Sequence, residues 1–166
     1  YRRLNDGELR SAIIADDAAA ALSPWHPGPF YYAGRVMLGG YADPAAALPY
    51  FLRALERDPF HPLVRDWAVS IHTSGPTPDL AKALALVQEE RRLLATSPGP
   101  ALMEAALQVR AGRCDLAWDA LDEAQRRGAP AGSLALVRAS VMRRATGAVK
   151  DVIERRAGGA TFETPA

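Results

Sequence analysis

The sequence predicts an all-α chain of stacked helix pairs, and three observations carry that prediction. A phrase occurs twice, as Pro24-Trp25-His26-Pro27 and, 35 residues later, as Pro59-Phe60-His61-Pro62, and the segments ahead agree at the same offset, Ala12 and Ala19 answering Ala47 and Ala54. A fixed period of about 34 residues is how helix pairs repeat in sequence, since one pair cannot bury its own apolar face and stacks on the next. Apolar residues make up 49% of the chain. Alanine and leucine dominate them and β-branched residues are few, which favours helix over strand. Proline, glycine and capping residues then punctuate the chain at helix-length intervals, and no segment alternates as a strand would.

The elements follow in order. The first helix is expected over Asp6 to Leu22, because Ser23 precedes a proline and is pushed out of helical geometry. A second opens at Pro27, whose fixed φ suits a first turn, with His26 just outside, and ends at Gly39-Gly40. Asp43-Pro44 starts a third, whose Ala47, Leu48, Phe51, Ala54 and Leu55 form one apolar stripe. The pattern recurs from Pro62 through Trp67 and Ile71 to Thr73, where Ser74-Gly75 breaks it. Thr77-Pro78 caps the next helix, which runs to Thr96 before Ser97-Pro98-Gly99-Pro100 stops it. Further helices are expected over Ala101 to Ala111, Asp115 to Arg127, Ser133 to Thr146 and Ala148 to Arg156, roughly nine in all, with Gly158 to Ala166 a loose tail.

Composition excludes little by itself. Twenty basic and 19 acidic residues nearly cancel, so overall charge points to neither nucleic acid nor an acidic substrate. The balance is uneven, with eight basic residues from Arg126 to Arg156 against Asp151 and Glu154. Such a segment can meet phosphates or anionic lipid, but it holds no aromatic residue for base stacking, and its arginines fall near helix C-termini, where cations offset the dipole. Cys114 is the lone cysteine, so no internal disulfide forms and the compartment stays open. No apolar run approaches the ~20 residues of a membrane helix. The start at Tyr1 rather than Met predicts a piece of a longer polypeptide.

Catalytic patterns are missing, and the expectation is a chain with no enzyme activity, cofactor or metal of its own. His26 and His61 occupy equivalent turns, which predicts a shared structural role at the helix entrance. No His-x-x-x-His pair or cysteine cluster accompanies them. His72 falls near a helix end, where a charged imidazole suits the dipole. Gly34 to Gly39 has the glycine spacing of a phosphate loop, but Gly40-Tyr41 stands where Lys-Ser or Lys-Thr should follow. Cys114 reads as an inert turn residue beside Gly112. Asp115, Asp119 and Asp122 share one helix face, read as a solvated outer face that could also receive a basic partner.

Ala47-Leu48-Pro49-Tyr50-Phe51-Leu52-Arg53-Ala54-Leu55-Glu56-Arg57-Asp58-Pro59 resembles the second helix of a tetratricopeptide repeat, with Ala47, Phe51, Ala54 and Pro59 on the family's small, aromatic, small and proline positions. Phe30, Ala33 and Gly34 resemble its first helix. Gly112, Ala117, Leu121 and Ala124 repeat the spacing, with Pro130 one residue late. The resemblance covers residues 8 to 146, strongly over Ala12 to Pro59 and weakly over Arg65 to Pro98. There Glu90 replaces an alanine and Pro98 comes three residues late, which predicts a helix about one turn longer and an irregular stack. The first repeat lacks its opening helix.

The resemblance implies a right-handed α-α superhelix of about four helix pairs over residues 1–157. Its approximate repeats are 6–24, 27–59, 62–98, 101–128 and 131–157, and a tail covers 158–166. It implies a scaffold for a protein or peptide partner rather than for nucleic acid. In that family the first helices line a concave groove, which here places Tyr31, Arg35, Asp66, Ser70, Thr73 and Arg110 toward a partner. Tyr31 and Arg35, one turn apart, are the leading pair, since such residues dominate interface energetics. They could equally cover a neighbouring helix.

A second likeness is narrower. Leu22 to Pro27, followed by Phe30-Tyr31-Tyr32-Ala33-Gly34-Arg35, is similar to the soluble tetratricopeptide tails of bacterial O-antigen polymerase or ligase membrane proteins, which often carry Asp-Pro-Trp or Asp-Pro-Tyr ahead of a tyrosine-rich helix. It implies glycan assembly by an absent membrane part and an extracytoplasmic location at the bacterial inner membrane. Without it a cytoplasmic location is expected.

Overall fold

A computed structural model describes residues 6–74 and 78–159, and every regular element among them is α-helical. The chain divides into two compact units, Tyr1–Leu86 and Val87–Ala166. In both, sequential helices pack on one another, as the repeat in the sequence requires.

The first unit holds α1 (Asp6–Leu22), α2 (Gly28–Gly39), α3 (Pro44–Arg57) and α4 (Pro62–Ser74), and α5 (Leu80–Leu93) carries the boundary. α2 and α3 pair most closely, with α1 against α2 and α4 against α3. Ala47 and Ala54 are completely buried, and Phe51 fills the space between them. Small residues seven apart let two helix axes approach, and the aromatic between them fills the gap. Phe30, Leu55, Val64 and Ala68 complete this core. The expected start of α3 is present in detail: the Asp43 carboxylate accepts the Ala46 N–H at 2.9 Å, and Pro44 occupies the first turn.

The second unit holds α6 (Gly99–Arg110), α7 (Cys114–Arg126), α8 (Ala131–Arg144) and α9 (Gly147–Gly159). α6 pairs with α7, α8 packs against both, and α9 lies on α7. Ala117, Leu121 and Ala124 are fully buried in a core that also takes Ala101, Ala105, Leu134, Val141 and Ile153. Gly112 and Gly128 end α6 and α7 with φ of 76° and 82°, left-handed values that a side chain resists. Cys114 is buried at the first position of α7.

Several boundaries differ from expectation. The predicted cap Thr77 lies outside the described residues. The described cap of α5 is Asp79, whose carboxylate accepts the Lys82 N–H at 3.0 Å, and that hydrogen bond holds its pKa below the usual aspartate value. α5 is not extended by a turn: it ends at Leu93, and residues 94–96 form a turn closed by Ser97 N–H on the Leu94 carbonyl. The extra residues before Pro98 lengthen the connection instead of the helix. α9 continues through Gly158 and Gly159, where the loose tail was expected to begin.

One device recurs. Helix ends leave carbonyls without partners, and an arginine from about one repeat later covers them. Arg57 Nε donates to the Pro24 carbonyl at 2.6 Å, Arg127 to that of Ser97 at 3.2 Å, and Arg144 to that of Val109 at 3.3 Å. Each arginine closes or follows its own helix, so a cation at a C-terminus serves two helices at once.

Candidate interaction surface

The sequence-predicted residues of the first unit fall on α2 and α4. Tyr31 is half-buried, and the Arg35 guanidinium lies over its ring, 5.6 Å from the centroid. The Tyr31 ring also lies 5.1 Å from that of His61, in the turn that opens α4, and 5.2 Å from that of Tyr32. Tyr31 thus joins α2 to the entrance of α4 while holding Arg35 at the surface. The ring covers a neighbouring turn, as one of the two readings of this pair expects, and positions a cation beside it.

Asp66 and Ser70 are exposed one turn apart on α4. Between and before them on the same face stand Trp67 and Leu63, 41% and 55% exposed. The positions 63, 66, 67 and 70 are spaced i, i+3, i+4, i+7, which makes one stripe. Trp67 is anchored underneath, its ring stacked on that of Phe51 at 6.5 Å with 13° between the planes. Thr73 is placed differently from expectation. It is buried, and its hydroxyl donates to the Ser70 carbonyl at 3.1 Å. Arg110 is exposed at the end of α6, in the other unit.

Residues the groove assignment missed are aromatic. Trp25 and Phe60, 73% and 60% exposed, occupy equivalent places in the two repeated phrases, and Tyr32 and Trp67 are equivalent at the same offset of 35. That offset was the available signal. The two turns are neighbours, since Arg57, which ends α3 just before Phe60, binds the Pro24 carbonyl beside Trp25.

The two equivalent histidines do not share one role. His26 Nδ1 accepts the Gly28 N–H at 3.0 Å, capping α2. A β-carbon on Gly28 would stand 2.9 Å from that nitrogen. Leu63, the equivalent of Gly28, carries such an atom, and His61 Nδ1 is buried without a hydrogen-bond partner among the described residues. His61 contributes its ring to Tyr31 instead. His72 is buried in the last turn of α4. Burial lowers its pKa, Asp79 raises it and Lys82 lowers it again, so the neutral form is favoured over the charged one expected at a helix end.

A buried arginine was not anticipated. Arg65 is 2% exposed and donates to the carbonyls of Pro59 at 2.6 Å and Leu86 at 3.0 Å. It stands 35 residues after Phe30, an apolar position of the preceding repeat. It fixes the second repeated turn as Arg57 fixes the first.

In the second unit several cations of the basic segment hold neighbouring groups while most of them stay exposed. Arg127 pairs with Glu123, Arg138 meets Gln125 and lies over Trp118, Arg144 holds Val109, and Lys150 pairs with Glu154. Arg156 donates to Asp119 at 2.8 Å and Asp122 at 2.6 Å, so the acidic face of α7 receives a cation from α9 while Asp115 and Asp119 stay exposed to solvent. Arg91 joins Glu104 and Glu123 in a network that Gln88 extends.

Among the described residues no three His, Cys, Asp or Glu side chains stand together as a metal site, and no helix is long and apolar enough to cross a membrane. Comparison of the chain with family models, with curated proteins and with solved structures gave no match.

Proposed function

We propose that this chain is a non-enzymatic interaction module of tetratricopeptide type, in which the α2–α4 face of the first unit binds a peptide or protein. The observation that carries the reading is the stripe Leu63, Asp66, Trp67 and Ser70 beside the Tyr31–Arg35 pair. A half-exposed tryptophan locked on a core phenylalanine is a rigid anchor that loses little entropy on binding, and arginine and tyrosine beside it supply directed contacts. In this reading the helix pairs continue into a right-handed superhelix. Pull-down with the full chain tests it: Tyr31→Ala/Arg35→Ala and, separately, Trp67→Phe should release partners that the unmodified chain retains. Retention by both variants would end the assignment.

A second reading rests on the exposure of Trp25 and Tyr32 in the segment Pro24 to Arg35, the residues that resemble soluble tails of O-antigen polymerases or ligases. The chain would then be the water-exposed part of a membrane protein of glycan assembly. The gene upstream of Tyr1 decides it, since about ten apolar spans of ~20 residues would support the reading and a soluble upstream sequence would discard it. Docking to lipid or nucleic acid through residues 126–156 ranks below both, because most of those cations already hold protein partners.

A further inference from the structure

A cleft of about 630 Å³ lies in the first unit, and three successive elements line it. Arg10, Ile13 and Ile14 of α1 form one wall. Met37, near the end of α2, and Tyr41 and Asp43, in the α2–α3 turn, supply most of the rest. Apolar lining with a few polar groups, in a volume of this size, is what small-molecule sites have. Residues 10, 13 and 14 are turned roughly 100° or more from Ala12 around the α1 axis, so the cleft is distinct from the face that carries Ala12 and Ala19.

The α2–α3 turn fixes the polar end of this cleft. It spans residues 40–43, one more than the residues 111–113 that join α6 to α7. Gly40 is pressed onto α1, since a β-carbon there would stand 2.5 Å from Leu9 Cδ2. The Gly40 and Tyr41 N–H groups both donate to the Val36 carbonyl, at 2.8 and 3.2 Å, and the Asp43 N–H donates to that of Met37 at 3.0 Å. Between the two lining residues Ala42 sits at φ 54°, in the left-handed region that the α6–α7 turn gives to Gly112. A β-carbon disfavours that conformation, and such strain gathers where a chain clamps a ligand. The next repeat makes the same turn with a different lining. There the Asp79 N–H donates to the His72 carbonyl at 2.8 Å, but His72 is buried where Met37 is half-buried. Arg10, Ile13 and Ile14 are replaced by Ala45, Leu48 and Pro49, so the cation is particular to the first of the two.

Charge selects the occupant. Arg10 is exposed, and among the described residues neither Asp6, one turn earlier on α1, nor Asp43 pairs with it. Asp43 is engaged elsewhere, accepting the Ala46 N–H at the start of α3, where the helix dipole offsets its charge. One guanidinium matches one carboxylate through two parallel hydrogen bonds. A phosphate carries about twice that charge and would need further cations, whereas Arg10 is the only cation of the lining and Asp43 repels a dianion. We propose that the cleft binds a small amphipathic carboxylate, with its charged group on Arg10 and its apolar body on Ile13, Ile14 and Met37 beside Tyr41. Two isoleucines and an adaptable methionine suit a medium-chain fatty acid or an arylalkanoate. None of these residues belongs to the α2–α4 face.

The test titrates decanoate and, separately, phenylpropanoate into the full chain with labelled isoleucine and methionine methyl groups, followed by NMR. The methyl groups of Ile13, Ile14 and Met37 should shift saturably, while those of Ile71 and Ile153 stay in place. Arg10→Gln should weaken decanoate about fivefold and leave the neutral decanamide, the weaker binder to the unmodified chain, unchanged. Ile14 is 68% exposed, so Ile14→Ser leaves the core intact and should weaken acid and amide alike. Tyr31→Ala/Arg35→Ala should not alter this binding, which separates it from the α2–α4 reading. Absence of saturable shifts with both carboxylates would overturn the proposal. Equal shifts at Ile71 and Ile153 would do the same, as would decanoate binding that is indifferent to Arg10→Gln or no tighter than that of decanamide.

Discussion

Gly34 and Phe51 meet so closely that a β-carbon on Gly34 would stand 2.7 Å from Phe51 Cε1 and 2.8 Å from Cδ1. The ring cannot simply swing away, because Phe51 is fully buried and Trp67 is stacked on it. Gly34→Ala therefore sets two effects against each other. Alanine in a helix interior gains about 1 kcal/mol over glycine, whereas overpacking a tight core costs about 1–3 kcal/mol. The expected net result is a loss of about 1 kcal/mol in urea unfolding, recovered in Gly34→Ala/Phe51→Leu. A more stable single variant would mean that the contact is not a constraint.

Arg65 should matter more than any exposed arginine of the chain. Its guanidinium is buried and satisfies two carbonyls from separate segments, Pro59 before α4 and Leu86 in α5. Removing it strips both of these acceptors of that donor at once. Arg65→Ala is expected to cost about 3 kcal/mol or more. Arg57→Ala, which frees the more exposed Pro24 carbonyl, should cost only about 1 kcal/mol. Equal losses in urea unfolding would contradict this ranking.

The contrast between these positions shows how far the sequence could be read. Ala47, Phe51 and Ala54 were legible because their spacing is dictated by close approach of two helices, and that constraint repeats at Ala117, Leu121 and Ala124. Asp43 was legible because capping is local chemistry within four residues. Arg65 was not, since an arginine in sequence reads as surface and only the arrangement of the Pro59 and Leu86 carbonyls makes burial favourable. Thr73 misled for a related reason. It shares a helix face with Asp66, seven residues earlier, but the chain returns over the last turn of α4, where the Asp79 N–H reaches the His72 carbonyl at 2.8 Å. Periodicity gives a face and says nothing of what later crosses it. Within the candidate surface, Tyr31 and Arg35 were read from residue type, whereas Trp67 needed its stacking on Phe51 to be recognised as a fixed anchor.

Burial of His72 gives the first unit a pH dependence of defined sign. Its folded pKa is lowered, with desolvation the main cause, opposed by Asp79 and reinforced by Lys82. A group that binds its proton less tightly when folded contributes full stability above its unfolded pKa of about 6.5 and loses it as pH falls below that value toward the folded one. The melting temperature should therefore fall between about pH 7 and pH 5, and His72→Gln should remove part of that slope. A slope identical in the variant would show that other groups govern the transition.

Arg156 holds α9 to α7 by a two-carboxylate fork on Asp119 and Asp122, and those hydrogen bonds, led by the one to Asp119, raise its own pKa. The fork is exposed, so it is worth at most about 1 kcal/mol and is screened by salt. Beneath it Ile153 is buried, and truncating such a residue costs about 2–5 kcal/mol. The two variants should therefore differ in kind. Arg156→Ala should leave the global unfolding midpoint nearly unchanged while amide exchange along α9 speeds up at low ionic strength. That difference should vanish near 1 M salt, where the screening length is only about 3 Å. Ile153→Ala should release α9 at every salt concentration, because apolar burial is not screened. Salt-independent loosening in Arg156→Ala would mean that the guanidinium acts through packing of its stem, and that the fork to Asp119 and Asp122 contributes little to docking α9.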